Sequence, residues 1–252
     1  MTFYKIVVAY DGTAYHGWQF QPGAITVSKV LIDSFFSVFS QTILIHGASR
    51  TDAGVHALGQ VAIVRSPIDI PAESMKLAWN RALPKDVLIQ DIFTLERLVH
   101  PHDGVVQKTY MYHFFTKRPL PFVQRYGWHY PRPVDIDILQ KALNIFVGTH
   151  DFRSFCTGVD LIDTVRTVDS VQVEFLKEYE AYRITMKGRS FLRYMVRRIV
   201  GACLEVASRK NITMDDLIRI LEEKNPCHTL PNSPAKGLLL YQILYNQDLG
   251  EL

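Results

Sequence analysis

The stretch from Gly47 to Gln60 reads Gly-Ala-Ser-Arg-Thr-Asp-Ala-Gly-Val-His-Ala-Leu-Gly-Gln. It sits between two strand-like runs, yet it is too long and too varied in side chains for a tight turn. Long inter-strand loops that bring Arg, Asp and His together are often functional. Asp52 is the focus. With Arg50 two positions away and a distant arginine able to approach, its carboxylate stays ionised at neutral pH. Such a carboxylate can act as a nucleophile or stabilise a cationic sugar centre. The plainer alternative is that Asp52 closes a turn with Thr51 and Gly54, as Asp often does. A metal reading would use His46, Asp52 and His56, whose i, i+6, i+10 spacing fits no familiar metal motif. His100 and His102 flank Pro101 as a loop feature, and Cys227-His228 is too isolated to form a site.

Two other features have chemical content. In Lys108-Thr109-Tyr110-Met111-Tyr112, strand alternation sends both tyrosines to one face. They are either core or a platform on which an unpaired base stacks, worth about 1–3 kcal/mol per base. From Arg183 to Lys210, eight basic residues stand against the single acid Glu205, a local charge of +7 that leaves −4 for the rest of a chain whose net charge is +3. Arg189, Arg193 and Arg197 share i, i+4 spacing, which on a helix makes one basic face. Phe191, Met195, Ile199, Ala202 and Val206 would form the opposite, core-facing stripe. Like charges four apart repel, so a polyanionic backbone is a natural partner for that face.

These features need elements to position them. The chain has 252 residues, 48% hydrophobic and 21% charged, the composition of a globular protein of one large or two small domains. A chain this long needs no covalent staple to hold a core. Three cysteines without a Cys-x-x-Cys pair suggest a reducing, cytoplasmic setting. No apolar run is long enough for a secretory signal or a membrane helix.

Strand patterns occur at Tyr4–Tyr10, Thr42–His46, Gly59–Arg65 and Val87–Phe93, and helical spacing at Val27–Phe39 and Glu73–Leu83. Their order is β-α-β-β-α-β, the ferredoxin-like motif. Tyr110–Phe115, a helix at Asp135–Val147, a hairpin of Thr167–Leu176 with Ala181–Met186, the arginine helix, a helix at Met214–Glu223 and a strand at Leu238–Tyr245 suggest a second copy. Thr213 and Asp216 fit a capping box. Pro119–Pro133 reads as an insertion or loop. The expected division is 1–107, carrying the Asp52 loop, and 108–252, carrying Tyr110 and the arginine helix. Two half-sheets side by side would leave a cleft between them.

Several of these segments resemble a family. Arg50-Thr51-Asp52-Ala53-Gly54-Val55-His56-Ala57, followed by Gly59-Gln60, is similar to the signature loop of the tRNA pseudouridine synthase A family. Tyr10-Asp11-Gly12, with Tyr15, Gly17-Trp18-Gln19 and Gln21, resembles its opening segment. Lys108-x-Tyr110-x-Tyr112 resembles its Arg/Lys-x-Tyr-x-Tyr strand. Gly148-Thr149-His150-Asp151-Phe152 with Phe155 resembles a further block, as do Ser190-Phe191-Leu192-Arg193 with Met195-Val196-Arg197 and Val200-Gly201, and Ser233-Pro234-Ala235-Lys236-Gly237-Leu238. The blocks run in order through nearly the whole chain. There are departures. Ser49 stands where the family usually has Gly, Val99-His100-Pro101-His102 where it tends to read Phe-His-Ala-Arg, and Ser28 where it has Gln.

The resemblance implies an isomerase that converts uridine to pseudouridine at positions 38, 39 and 40 of the tRNA anticodon stem-loop, without cofactor or metal. It implies a homodimer of α+β chains. Each chain would have two ferredoxin-like (βαββαβ) halves sharing a mainly antiparallel sheet, with helices on one face and an active-site cleft between the halves. By the same resemblance Asp52 is the catalytic aspartate, Tyr110 packs on the target base, Arg197 pairs with the aspartate and Arg50 assists base flipping. Arg50, His56, Tyr110, Arg189 and Arg193 form the expected substrate-binding set. The competing expectations are an RNA-binding relative without chemistry, such as a tRNA-folding chaperone, and a metal-dependent hydrolase built on His46, Asp52 and His56.

Overall fold

A computed structural model describes residues 1–157, 163–208 and 212–246. The first part of the chain forms β1 (Thr2–Tyr10), α1 (Val27–Phe39), β2 (Leu44–Gly47), β3 (His56–Ser66), α2 (Ala72–Ala82) and β4 (Val87–Leu95). Then come β5 (Val105–Phe115), β6 (Trp128–His129), α3 (Ile136–Asn144), β7 (Gly148–Asp151), β8 (Val165–Val168), β9 (Ser170–Leu176), β10 (Ala181–Gly188), α4 (Met195–Ala207), α5 (Met214–Glu223) and β11 (Leu238–Tyr245). The fold is α+β with mainly antiparallel pairing. The chain divides into two compact units, one of Met1–Val106 with the C-terminal residues from Leu240, the other of Gln107–Leu239.

In the first unit the order is β-α-β-β-α-β, as the hydrophobic spacing predicts. β1 lies between β4 and β3, antiparallel to both, and β2 pairs with the far end of β3 from Leu44↔Arg65 to Gly47↔Ala62. The rest of β3 is flanked by β11, where the backbones come so close that a Cβ on Gly59 would lie 2.5 Å from the Tyr241 carbonyl oxygen. α1 starts where the Thr26 hydroxyl accepts from the Lys29 amide, replacing one of the hydrogen bonds a helix end lacks. It packs on α2 through Trp79, whose indole donates to the Leu31 carbonyl at 3.1 Å and whose ring meets Phe35 edge-on at 4.9 Å. Both rings are fully buried, and burying aromatics of this size dominates core energetics.

In the second unit β10 is the centre of an antiparallel trio, β5-β10-β9, with registers running from Tyr182↔Phe114 to Gly188↔Lys108 and from Ala181↔Leu176 to Lys187↔Ser170. α3 is tied to β9 by one side chain. The Gln140 amide donates to the Val171 carbonyl at 3.0 Å and accepts from the Val173 amide at 2.9 Å. The capping box at Thr213 and Asp216 is present, with hydrogen bonds in both directions.

Two expectations change here. The Pro119–Pro133 stretch is not all loop: β6 pairs parallel with β5, and Tyr130 is buried with its hydroxyl against Ser208 and Glu205. α4 begins only at Met195, so Arg189 and Arg193 precede the helix rather than lying on it. Tyr194 adopts a left-handed φ of 65° and stops any helix from extending backwards. α4 is not a half-buried amphipathic helix either, since Val196, Val200, Gly201, Cys203, Leu204 and Ala207 are buried along with Met195, Ile199, Ala202 and Val206. Arg209 and Lys210 lie outside the described residues.

Candidate active site

In the first unit, the loop from Ala48 to Val55 is clamped at its base and on both sides of Asp52. At the base, the Ala48 amide donates to the Val61 carbonyl at 2.8 Å. The Gln60 carboxamide accepts from the Ser49 amide at 3.2 Å and donates to the Ser49 carbonyl at 2.6 Å. On one side, the Thr51 hydroxyl meets the Tyr10 hydroxyl at 2.7 Å and the Thr51 carbonyl accepts from the Trp18 amide at 3.1 Å. On the other, the Gly54 amide donates to the Tyr15 carbonyl and the Val55 amide to the Asp52 carbonyl, each at 3.1 Å. Gly54 takes a positive φ of 77°, where glycine is unstrained. The Asp52 carbonyl therefore closes a backbone turn onto Val55, and that turn fixes the backbone from which the side chain projects.

The opening segment of the chain supplies the other half of the clamp. Gly17 has φ +86° and lies so near the loop that a Cβ would sit 2.4 Å from the Thr51 carbonyl oxygen. Gly12 would likewise press a Cβ onto the Val55 carbonyl oxygen. The Gly12 amide donates to His56 Nδ1 at 3.1 Å, and Asp11 Oδ1 lies 3.1 Å from the same nitrogen. His56 is buried, so its observed bonds fix the end of the loop to the Asp11 turn. Tyr15 extends the network by donating to Asp86 at 2.6 Å, and burial together with that bond pushes its phenol pKa up. Arg50 is exposed and Asp52 half-buried. His46 is exposed on β2, and among the described residues no group of three or more His, Cys, Asp or Glu side chains could hold a metal ion.

In the second unit Tyr110 lies on β5, almost wholly buried, with Phe191 edge-on at 5.2 Å. Lys108 is on the same strand face and burial lowers its pKa to about 8. Arg197, on the first turns of α4, is half-buried and donates from Nε to the Ser233 carbonyl at 2.8 Å. Its guanidinium also lies 5.2 Å from the Tyr194 ring centre, and the exposed Arg193 stacks on the same ring at 4.9 Å. Arg189 is exposed. Arg198 turns the other way and donates to the Cys156 carbonyl at 2.8 Å. Residue type and spacing give no role to Gln60, Tyr194 or Ser233. Each works through backbone groups or ring faces that spacing does not reveal.

Comparison with known proteins gives the family of the chain. The family described as tRNA pseudouridine synthase matches residues 6–100 and 142–246. A tRNA pseudouridine synthase A of Thermodesulfovibrio yellowstonii is 34% identical, the match covering 96% of this chain and 98% of the relative. One from a Thermotoga species is 38% identical, covering 95% and 98%. The tRNA pseudouridine synthase A 1 of Protochlamydia amoebophila is 33% identical over 99% of both. The chain belongs to the tRNA pseudouridine synthase family.

Proposed function

We propose that the protein, acting as a cytoplasmic homodimer, isomerises uridine to pseudouridine at positions 38, 39 and 40 of the tRNA anticodon stem-loop, with Asp52 as its catalytic carboxylate. The observation that carries this is the Asp52 loop. Its backbone is hydrogen-bonded on both sides of Asp52 while the aspartate itself stays half-buried. A carboxylate held this way has its ordering cost met by the fold, which is how positioning lowers a barrier.

The reaction needs little else in kind. The bond between uracil N1 and sugar C1′ breaks, the base turns, C5 bonds to C1′, the hydrogen on C5 leaves to solvent and N1 takes up a proton. Asp52 serves the cleavage step, Arg197 pairs with its carboxylate, and Tyr110 packs on the uracil while it turns. Arg50 assists extrusion of the nucleotide, which costs a few kcal/mol of lost stacking and pairing. Arg189 and Arg193 hold RNA phosphates, and His56 supports the substrate through the loop it fixes. No described helix is long and apolar enough to cross a membrane.

The test is chemical mapping of pseudouridine in an unmodified tRNA transcript after incubation with the purified protein. Pseudouridine confined to positions 38–40 is the expected result. Its appearance only elsewhere, or binding without any conversion, contradicts the assignment; the second outcome is that of an RNA chaperone.

A further inference from the structure

Within the second unit, the segment from Pro231 to Gly237 lies against α4 and grips it at Arg197. Arg197 donates from Nε to the Ser233 carbonyl at 2.8 Å, and Ser233 returns two bonds to the Arg197 carbonyl, from its amide at 3.2 Å and its hydroxyl at 2.9 Å. One turn along, a Cβ on Gly201 would sit 2.3 Å from the Pro231 carbonyl oxygen, so helix and segment meet backbone to backbone. The direction of the Arg197 guanidinium therefore depends on where this segment stands.

Tyr112 holds the segment in place. Its hydroxyl donates to the Pro234 carbonyl at 2.9 Å, and its side chain also hydrogen-bonds the Ser233 side chain. Its ring occupies the space beside Gly237, where a Cβ would lie 2.5 Å from the phenol ring. Tyr112 is fully buried and burial pushes its phenol pKa up, so it remains a neutral donor at physiological pH. Phenylalanine would fill the same volume. Only the hydroxyl hydrogen-bonds the segment that carries Ser233.

We propose that Tyr112 is a positioning residue for the reaction, fixing the Ser233–Pro234 segment whose carbonyl aims the Arg197 guanidinium. It has this role only if Arg197 serves Asp52 as proposed. Tyr112→Phe keeps the packing and removes the aim, so its effect belongs to turnover rather than to tRNA affinity.

The test measures kcat and KM for tRNA with the full chain as wild type, Tyr112→Phe, Ser233→Ala, Arg197→Lys and the two double variants Arg197→Lys/Tyr112→Phe and Arg197→Lys/Ser233→Ala, each with its thermal midpoint. Tyr112→Phe is expected to lower kcat by about ten- to a hundredfold, the cost of a small misplacement, while KM stays within about twofold. In the Arg197→Lys background the same change adds nothing, because the group it aims is gone. Ser233→Ala removes the other hydroxyl of the cluster and lowers kcat in the same non-additive way, which keeps the test decisive if Tyr112→Phe folds poorly. Wild-type kcat in Tyr112→Phe, or a loss repeated in full beside Arg197→Lys, overturns the role of Tyr112 alone. A wild type that forms no pseudouridine overturns the proposed function itself.

Discussion

The carboxamide of Gln60 forms both of its hydrogen bonds with one residue, Ser49, accepting from its amide at 3.2 Å and donating to its carbonyl at 2.6 Å. Gln60 is fully buried on β3, and Ser49 stands at the base of the Asp52 loop. A side chain here does the work of a strand pairing, and it extends the tie between β3 and the loop one residue beyond the Ala48–Val61 bond.

Gln60→Leu keeps the approximate volume and removes both bonds. Losing a buried partner costs about 1–3 kcal/mol, so chemical denaturation is expected to show a loss of that size. Turnover falls beyond what the lost folded fraction explains, because the loop base is freed. A variant with wild-type stability and kcat would show that Ser49 is held by its neighbours alone.

Gly17→Ala tests the other side of the clamp. The new methyl meets the Thr51 carbonyl oxygen at 2.4 Å in a left-handed backbone. The backbone penalty alone is about 1–2 kcal/mol, and relief of the clash moves the loop next to Asp52. Reduced thermal stability together with reduced kcat is expected, and a fully active variant would contradict the clamp.

Lys108 makes stability depend on pH. Burial lowers its folded pKa to about 8, while in the unfolded chain the value is about 10.4. Between those values the unfolded state binds the extra proton, so this residue's contribution to stability rises with pH across that window and is lost as pH falls through about 8. In Lys108→Met the contribution is absent. The stability of the variant minus that of the wild type is therefore expected to decrease from about pH 7.5 to about pH 9.5. A pH-independent difference would mean that Lys108 keeps its ordinary pKa in the fold.

Arg189 and Arg193 are exposed and lie before α4 rather than on it. Changing either to Ala is expected to weaken tRNA binding and flatten its salt dependence, the log–log slope dropping by about 0.7–0.9 for each phosphate the variant no longer neutralises. Unchanged slopes would assign both side chains to solvent.

Much of the fold is legible where one local pattern decides an element. The bounds of α1 follow from the helical spacing that runs from Val27 to Phe39, and the start of α5 from its capping box. β11 runs from Leu238 to Tyr245, as its apolar run predicts. β6 and β7 are not readable in this way, because Trp128-His129 and Gly148–Asp151 are short and lack alternation, and the partners they pair with lie elsewhere in the chain. The expected strand Thr167–Leu176 is two strands, the end of β8 and the whole of β9, separated at Asp169, and β8 pairs with β7 instead of joining the hairpin with β10. The start of α4 differs from expectation because regular arginine spacing runs through Tyr194, whose backbone leaves the helical region. At the candidate site, Asp52, Tyr110 and Arg197 are readable as residue types in a family pattern. What holds them is not, because Gln60, Gly17 and Ser233 act on backbone atoms brought close only by the fold.

The role proposed for Asp52 is catalysis of uridine isomerisation. Its most direct test is release of tritium from carbon 5 of labelled uridine in tRNA, measured for the wild type and Asp52→Ala alongside tRNA binding by both. Release by the wild type, abolished in Asp52→Ala while binding persists, is the predicted result. Release that survives in Asp52→Ala, or none from the wild type with any tRNA, would contradict it.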